Sequence, residues 1–131
     1  MRSLFRPEGV AVIGASRSQS TIGGMLFRNI VEGGFQGTVY PVNWNASVVQ
    51  SVTAYKSVID CPGRVDLALI AVPARAVVGV ARECAKKGVK ALVVISSGFS
   101  ETGKEGAALQ EELVGVCRGA GMRLVGPTAW G

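Results

Sequence analysis

Three short runs of consecutive apolar residues recur along the chain: residues 10–14 (VAVIG), 67–72 (LALIAV) and 91–95 (ALVVI). None alternates with polar residues. Strands buried on both faces read this way, as in a parallel sheet covered by helices. Residues 38–42 (TVYPV) read as a further strand, although Pro41 removes a ladder donor and predicts a frayed end. Residues 122–125 read as the last strand, and residues 51–55 as a short extended piece before the third main one. Between these runs the apolar positions switch to helical spacing. Ile22, Met25, Leu26 and Ile30 share one stripe, ended by Gly33-Gly34. Val77, Ala81, Cys84 and Ala85 share a second, ended by Gly88. Leu109, Leu113, Val116, Cys117 and Ala120 share a third, ended by Gly121. Thr102 and Glu105 have the spacing of a capping box at the start of that third helix. Strands and helices therefore alternate, which predicts an α/β fold with a doubly wound, mainly parallel five-stranded sheet.

Composition narrows the class. The 131 residues make one domain, spanning 1–131. Trp130 follows the last strand with little left to pack against, so the domain is expected to be one module of a longer polypeptide. Hydrophobic residues at 48% against 18% charged exclude disorder. The longest apolar stretch, residues 67–74, is broken by Pro73 and far short of the ~20 residues a membrane span needs. The N-terminal MRSLFRPEG has no apolar signal core, so secretion is not expected. No histidine is present, which removes His-based metal sites, Ser-His and Cys-His catalysis, and any phosphohistidine within these residues. The three cysteines, Cys61, Cys84 and Cys117, contain no CxxC, so neither a metal site nor a redox pair is expected, and a reducing cytoplasm fits. The net charge of +5 suits an anionic partner. Apart from Lys86, Lys87 and Lys90 the cations are scattered, with no basic run interleaved with aromatics, so nucleic acid is not the expected partner.

In open α/β sheets ligands bind beyond the carboxyl ends of the strands, where strand order reverses. The first strand runs into Gly14-Ala15-Ser16-Arg17-Ser18-Gln19-Ser20-Thr21-Ile22-Gly23-Gly24, the second into Asn43-Trp44-Asn45, the third into Val72-Pro73, the fourth into Ser96-Ser97-Gly98-Phe99. These ends are small, hydroxylic or turn-forming, and carry no carboxylate. The first loop is the strongest feature. Gly14 permits a tight turn, and Gly23 and Gly24 open a helix whose N–H groups and dipole favour an anion. Ser16 and Arg17 add charge-assisted contacts. The loop is not GxGxxG, because Ser16 and Gln19 stand at the later glycine positions, nor a P-loop, because no GK[ST] follows. An NAD site places an acid at the end of the second strand, where this chain has Val42 and Asn43; NAD is disfavoured and NADP stays open. A phosphorylated receiver domain needs acids where Gly14 and Val72 stand.

Other residues have plainer readings. Trp44 either stacks on an adenine ring or covers the edge of the core. Cys84 and Cys117 lie on apolar stripes and read as buried thiols. Asp66 and Glu101 read as capping or pairing groups, and Lys86, Lys87 and Lys90 as a solvated helix end complementing the dipole.

The set Phe5-x-Pro7, Ile13-Gly14-Ala15-Ser16, Ile22-Gly23-Gly24, Val39-Tyr40-Pro41-Val42-Asn43, Val65-Asp66-Leu67-Ala68, Val72-Pro73, Val94-Ile95-Ser96-Ser97-Gly98-Phe99, Glu101-Thr102-Gly103 and Gly126-Pro127 resembles one family over nearly the whole chain. It is the CoA-binding domain of the ADP-forming acyl-CoA synthetases, similar to the alpha subunit of succinyl-CoA ligase and also found in multidomain protein acetyltransferases. The resemblance implies a Rossmann-like domain that binds coenzyme A or acyl-CoA and works beside other domains or subunits of a synthetase or acetyltransferase. It implies nucleotide phosphates at Gly14, Ser16, Arg17, Ser18, Ile22, Gly23 and Gly24, with Asn43, Trp44 and Asn45 near the nucleotide. Val72, Pro73, Ser96, Ser97, Gly98 and Phe99 would flank the pantetheine arm. No catalytic residue and no metal ligand falls on this domain. In a synthetase the implied reaction makes acid, CoA and ATP from acyl-CoA, ADP and phosphate, or the reverse; in an acetyltransferase the module senses its ligand instead.

The chain departs from that family at one turn. The family ends the domain Gly-Pro-Asn-Cys-Leu-Gly; here Gly126-Pro127-Thr128-Ala129-Trp130-Gly131 stands, without the Asn and Cys that face the thiol of CoA. A regulatory domain that has lost its ligand is therefore one alternative, and an NADP-type nucleotide domain another.

Overall fold

The computed structural model describes residues 7–15, 21–95 and 103–126. The elements are β1 (Gly9–Ile13), α1 (Ile22–Glu32), β2 (Thr38–Val42), β3 (Val48–Val49), β4 (Val52–Thr53), a 3-10 turn (Val58–Asp60), β5 (Leu67–Ile70), α2 (Ala74–Lys87), β6 (Ala91–Val94), α3 (Lys104–Ala120) and β7 (Arg123–Val125). Five strands form a parallel sheet in the order β2-β1-β5-β6-β7. The chain moves outward from β1 to β2, then returns across to β5, so strand order reverses between β1 and β5. This is the doubly wound α/β architecture expected from the apolar runs.

Alternation along the strands divides the core into two faces. Ala11 and Ile13 of β1, Ala68 and Ile70 of β5, and Leu92 and Val94 of β6 pack with Val77, Ala81 and Cys84 of α2 and Leu113 and Cys117 of α3. Val12 and Leu69 pack on the opposite side with Phe27 of α1 and Val49 of β3. Arg82 of α2 and Glu112 of α3 pair at 2.9 Å across the two neighbouring helices. Gly88 and Gly121 end α2 and α3 in the left-handed conformation, φ 91° and 70°, which only glycine adopts freely.

Several local expectations are corrected. Pro41 does not fray β2. A residue's N and carbonyl point to the same side of a strand, and the Pro41 carbonyl faces the outer edge, where it accepts from the Tyr55 N–H at 3.0 Å. The missing donor therefore also faces away from β1, and the next residues are held by the Val42–Tyr55 bridge. The extended piece at 51–55 is the return arm of a β3–β4 hairpin, which carries no Asn-Gly or Asp-Gly signal. The N-cap of α3 is Gly103 without a side-chain cap bond, so Glu105 stands one position too early for a capping box; Thr102 lies outside the described residues. Lys87 is not a fully solvated helix-end cation: it is half-buried and its Nζ donates to the carbonyl of Cys61.

Asp66 is a pairing group, as its sequence context suggested. It is buried at the amino edge of the sheet, where Oδ2 accepts from the N–H of Glu8 at 2.9 Å and of Gly9 at 3.4 Å, and Oδ1 from Arg64 Nε at 2.6 Å. Burial alone pushes its carboxyl up, but the Glu8 N–H, the Arg64 guanidinium and the Gly9 N–H outweigh it and hold the pKa below the ordinary value. No described helix is long and apolar enough to cross a membrane.

Candidate functional site

The reversal of strand order puts the ends of β1, β2 and β5 and the start of α1 side by side. Gly14 turns the chain out of β1 with φ 100°, and a Cβ there would lie 2.4 Å from the Ala71 carbonyl oxygen and 3.3 Å from Val72 Cγ1. Its N–H donates to the Val42 carbonyl at 3.0 Å, so Gly14 sits between the ends of β2 and β5. Gly23 has a packing role that its place at the helix start did not announce. A Cβ on it would fall 2.0 Å from the Gly14 carbonyl oxygen, so the first turn of α1 rests directly on the turn after β1. Gly23 is thus a helix–strand packing glycine as well as part of the helix start. Gly24 is buried beside it.

The start of α1 is capped from within the loop. Thr21 Oγ1 accepts from the Gly24 N–H at 3.0 Å, and the Met25 N–H bonds the Thr21 carbonyl at 2.9 Å. The N–H groups of Ile22 and Gly23 stand ahead of that first intrahelical bond, at the positive end of the dipole. No acidic residue occupies the first turn of α1 or α2, and Arg75 lies exposed in the latter. The signal for this cap is local in the sequence, a Thr directly before an apolar helical stripe.

Asn43 is a clamp. Its Nδ2 donates to the Ala15 carbonyl at 2.9 Å, joining the loop after β2 to the loop after β1. Its Oδ1 accepts from the N–H groups of Asn45 at 2.7 Å and Ala46 at 3.1 Å, and its own N–H bonds the Tyr55 carbonyl at 2.8 Å. Trp44, held between Asn43 and Asn45, is 75% exposed and does not cover the core. On the far side, Val72 is half-buried and Pro73 is the exposed N-cap of α2. Ser16, Arg17 and Ser18, and Ser96, Ser97, Gly98 and Phe99, lie outside the described residues, as do Glu101 and residues 127–131.

The structure thus brings together Gly14, Ile22, Gly23, Gly24, Asn43, Val72 and Pro73 at one edge, with Trp44 and Asn45 beside them. A shallow hollow along α3, bordered by Ala107, Glu111, Val114 and Arg118, lies on a single helix away from this edge. No nucleophilic thiol reaches the edge from the described residues. Cys61, Cys84 and Cys117 are buried, and burial pushes the first two up to about 11 and about 12 and raises the third, so all three stay protonated. No cluster able to hold a metal ion occurs among the described residues.

Residues 8–131 match the family described as CoA binding domain. The chain belongs to that family. It is 48% identical over 128 residues to the alpha subunit of ADP-forming acetate–CoA ligase II from Pyrococcus furiosus, covering 97% of this chain and 28% of that protein. It is 44% identical over 131 residues to ADP-forming acetate–CoA ligase II from Archaeoglobus fulgidus, covering 100% of this chain and 20% of that protein. Among solved structures, PH0766 from Pyrococcus horikoshii OT3 superposes with a TM-score of 0.88 at 48% identity, over 93% of this chain and 28% of that one. This CoA-binding domain, as found in ADP-forming acyl-CoA synthetase-like proteins, thus spans less than a third of these relatives.

Proposed function

We propose that this chain holds coenzyme A, or its acyl thioester, across the carboxyl edge of the sheet, as one module of an ADP-forming acyl-CoA synthetase. The diphosphate lies at the β1–α1 loop, received by the Ile22 and Gly23 N–H groups, Ser16, Ser18 and Arg17. The adenosine extends over Asn43, Trp44 and Asn45, with the exposed indole as a stacking surface. The pantetheine arm runs the other way, past Val72-Pro73 and Ser96, Ser97, Gly98 and Phe99. The module binds and orients the thiol, and bond making belongs to groups elsewhere in the polypeptide or in a second subunit.

One observation carries this reading: the Gly23–Gly14 contact seats a helix N-terminus on the switch point, with no acidic residue in that helix's first turn. A dehydrogenase-type site needs an acid at the end of β2 for the ribose hydroxyls, and Asn43 stands there with its amide committed to Ala15. Calorimetric titration with CoA, dephospho-CoA and NADH tests it. CoA binding is expected, with Arg17→Ala losing about 1.5–3 kcal/mol as a charged hydrogen bond disappears. Tight NADH binding with none for CoA would overturn the assignment.

A further inference from the structure

We propose that Gln50 is a positioning residue for this site, holding the first turn of α1 from outside through the β3–β4 hairpin. The inference rests on the reading of the carboxyl edge as the CoA site. The hairpin turn is two residues long, between the paired Val49 and Val52, and both of its residues have positive φ: Gln50 at 49° and Ser51 at 71°. Such a turn is relaxed with Asn-Gly or Asp-Gly, whereas Gln and Ser strain the backbone in the left-handed region. Strain of this kind persists where the surroundings over-determine the conformation. Here they do. Val49 is fully buried in the cluster that contains Phe27 of α1. The return arm is tied by the Ala54 N–H to the Ser47 carbonyl at 2.9 Å and by the Val42–Tyr55 bridge.

The strained position carries a contact that the relaxed turn residues cannot make. Gln50 Nε2 donates to the Gly24 carbonyl at 3.1 Å, in the first turn of α1. Gly24 follows Gly23, whose backbone rests on Gly14. The first turn is therefore held between the strand end on one side and the hairpin on the other. Asn fits the turn better, yet its side chain is one methylene shorter and falls short of Gly24. Gln50 fixes the direction of the Ile22 and Gly23 N–H groups at a cost in turn strain.

Two variants separate the turn from the contact. Ser51→Gly relaxes the turn and keeps the Gln50 amide. Gln50→Asn combined with Ser51→Gly installs Asn-Gly and removes the reach. Both are measured in the 131-residue chain by thermal melting, by 15N order parameters at Ile22, Gly23 and Gly24, and by calorimetric titration with CoA. Both variants are expected to melt at or above the parent temperature. Ser51→Gly keeps the parent order parameters and CoA affinity, while the double variant lowers the order parameters and weakens CoA roughly fivefold, the effect of one neutral hydrogen bond. Unchanged order parameters and affinity in the double variant overturn the inference, as does an equal loss in Ser51→Gly, which would assign the effect to the turn. If the parent chain binds no CoA, the site reading falls, and the order parameters alone decide whether Gln50 holds α1.

Discussion

Replacing a glycine by alanine should have opposite signs at two places in this fold. At Gly23 the new Cβ would stand 2.0 Å from the carbonyl oxygen and 2.6 Å from the carbonyl carbon of Gly14, and 3.2 Å from the Ala15 nitrogen. All three are backbone atoms, so no side chain can rotate away. The start of α1 must lift by about 1 Å to reach ordinary contact, drawing Phe27 from its packing. Overpacking of this kind costs about 1–3 kcal/mol, more than the ~0.5–1 kcal/mol that alanine gains over glycine in a helix. At Gly79, in the exposed middle of α2, an added Cβ meets nothing within 4 Å, and only the gain remains. Urea unfolding of the two variants measures the difference directly. Gly79→Ala should raise the midpoint and Gly23→Ala lower it; at roughly 4 °C per kcal/mol for a domain of this size, the melting temperatures should separate by several degrees. A Gly23→Ala protein at least as stable as the parent would show that α1 does not rest on Gly14, and the account of the site would fail with it.

Other consequences are independent of that one. Asp66→Asn removes a buried, hydrogen-bonded charge and should cost about 1–3 kcal/mol at neutral pH. Because the folded carboxyl is held below its unfolded pKa, its contribution is present above the unfolded value and lost as pH falls through the folded one, so the gap between parent and variant should close in acid unfolding curves; a constant gap would contradict the assignment. Cys61, Cys84 and Cys117, at 2%, 0% and 2% exposure, should resist a thiol reagent at pH 8 until urea unfolds the chain; fast labelling of the native protein would be the contrary result. Trp44→Ala should leave the melting temperature nearly unchanged, since the side chain is 75% exposed, yet weaken CoA by about 1–3 kcal/mol if the indole stacks on the adenine. Equal CoA affinity would remove Trp44 from the site.

The periodicities along the chain were enough to place the main strands and helices, because apolar runs and helical stripes are local and each is repeated over a whole element. Residues 38–42 became β2 with the expected limits, and Gly88 and Gly121 end their helices as expected. The loop after β1 and the lack of an acid after β2 were equally visible, being matters of composition at strand ends. What each site residue does was not visible. Gly23 reads as a ligand glycine or a packing glycine alike, since the letter says that a Cβ is excluded and not what excludes it. Asn43 clamps a residue 28 positions away, and Gln50 reaches one 26 positions away. Pro41 avoids its expected damage only because β2 lies at the sheet edge with Tyr55 alongside. Such roles arise where distant segments meet, and only the folded chain sets which atoms then lie within hydrogen-bond or van der Waals range.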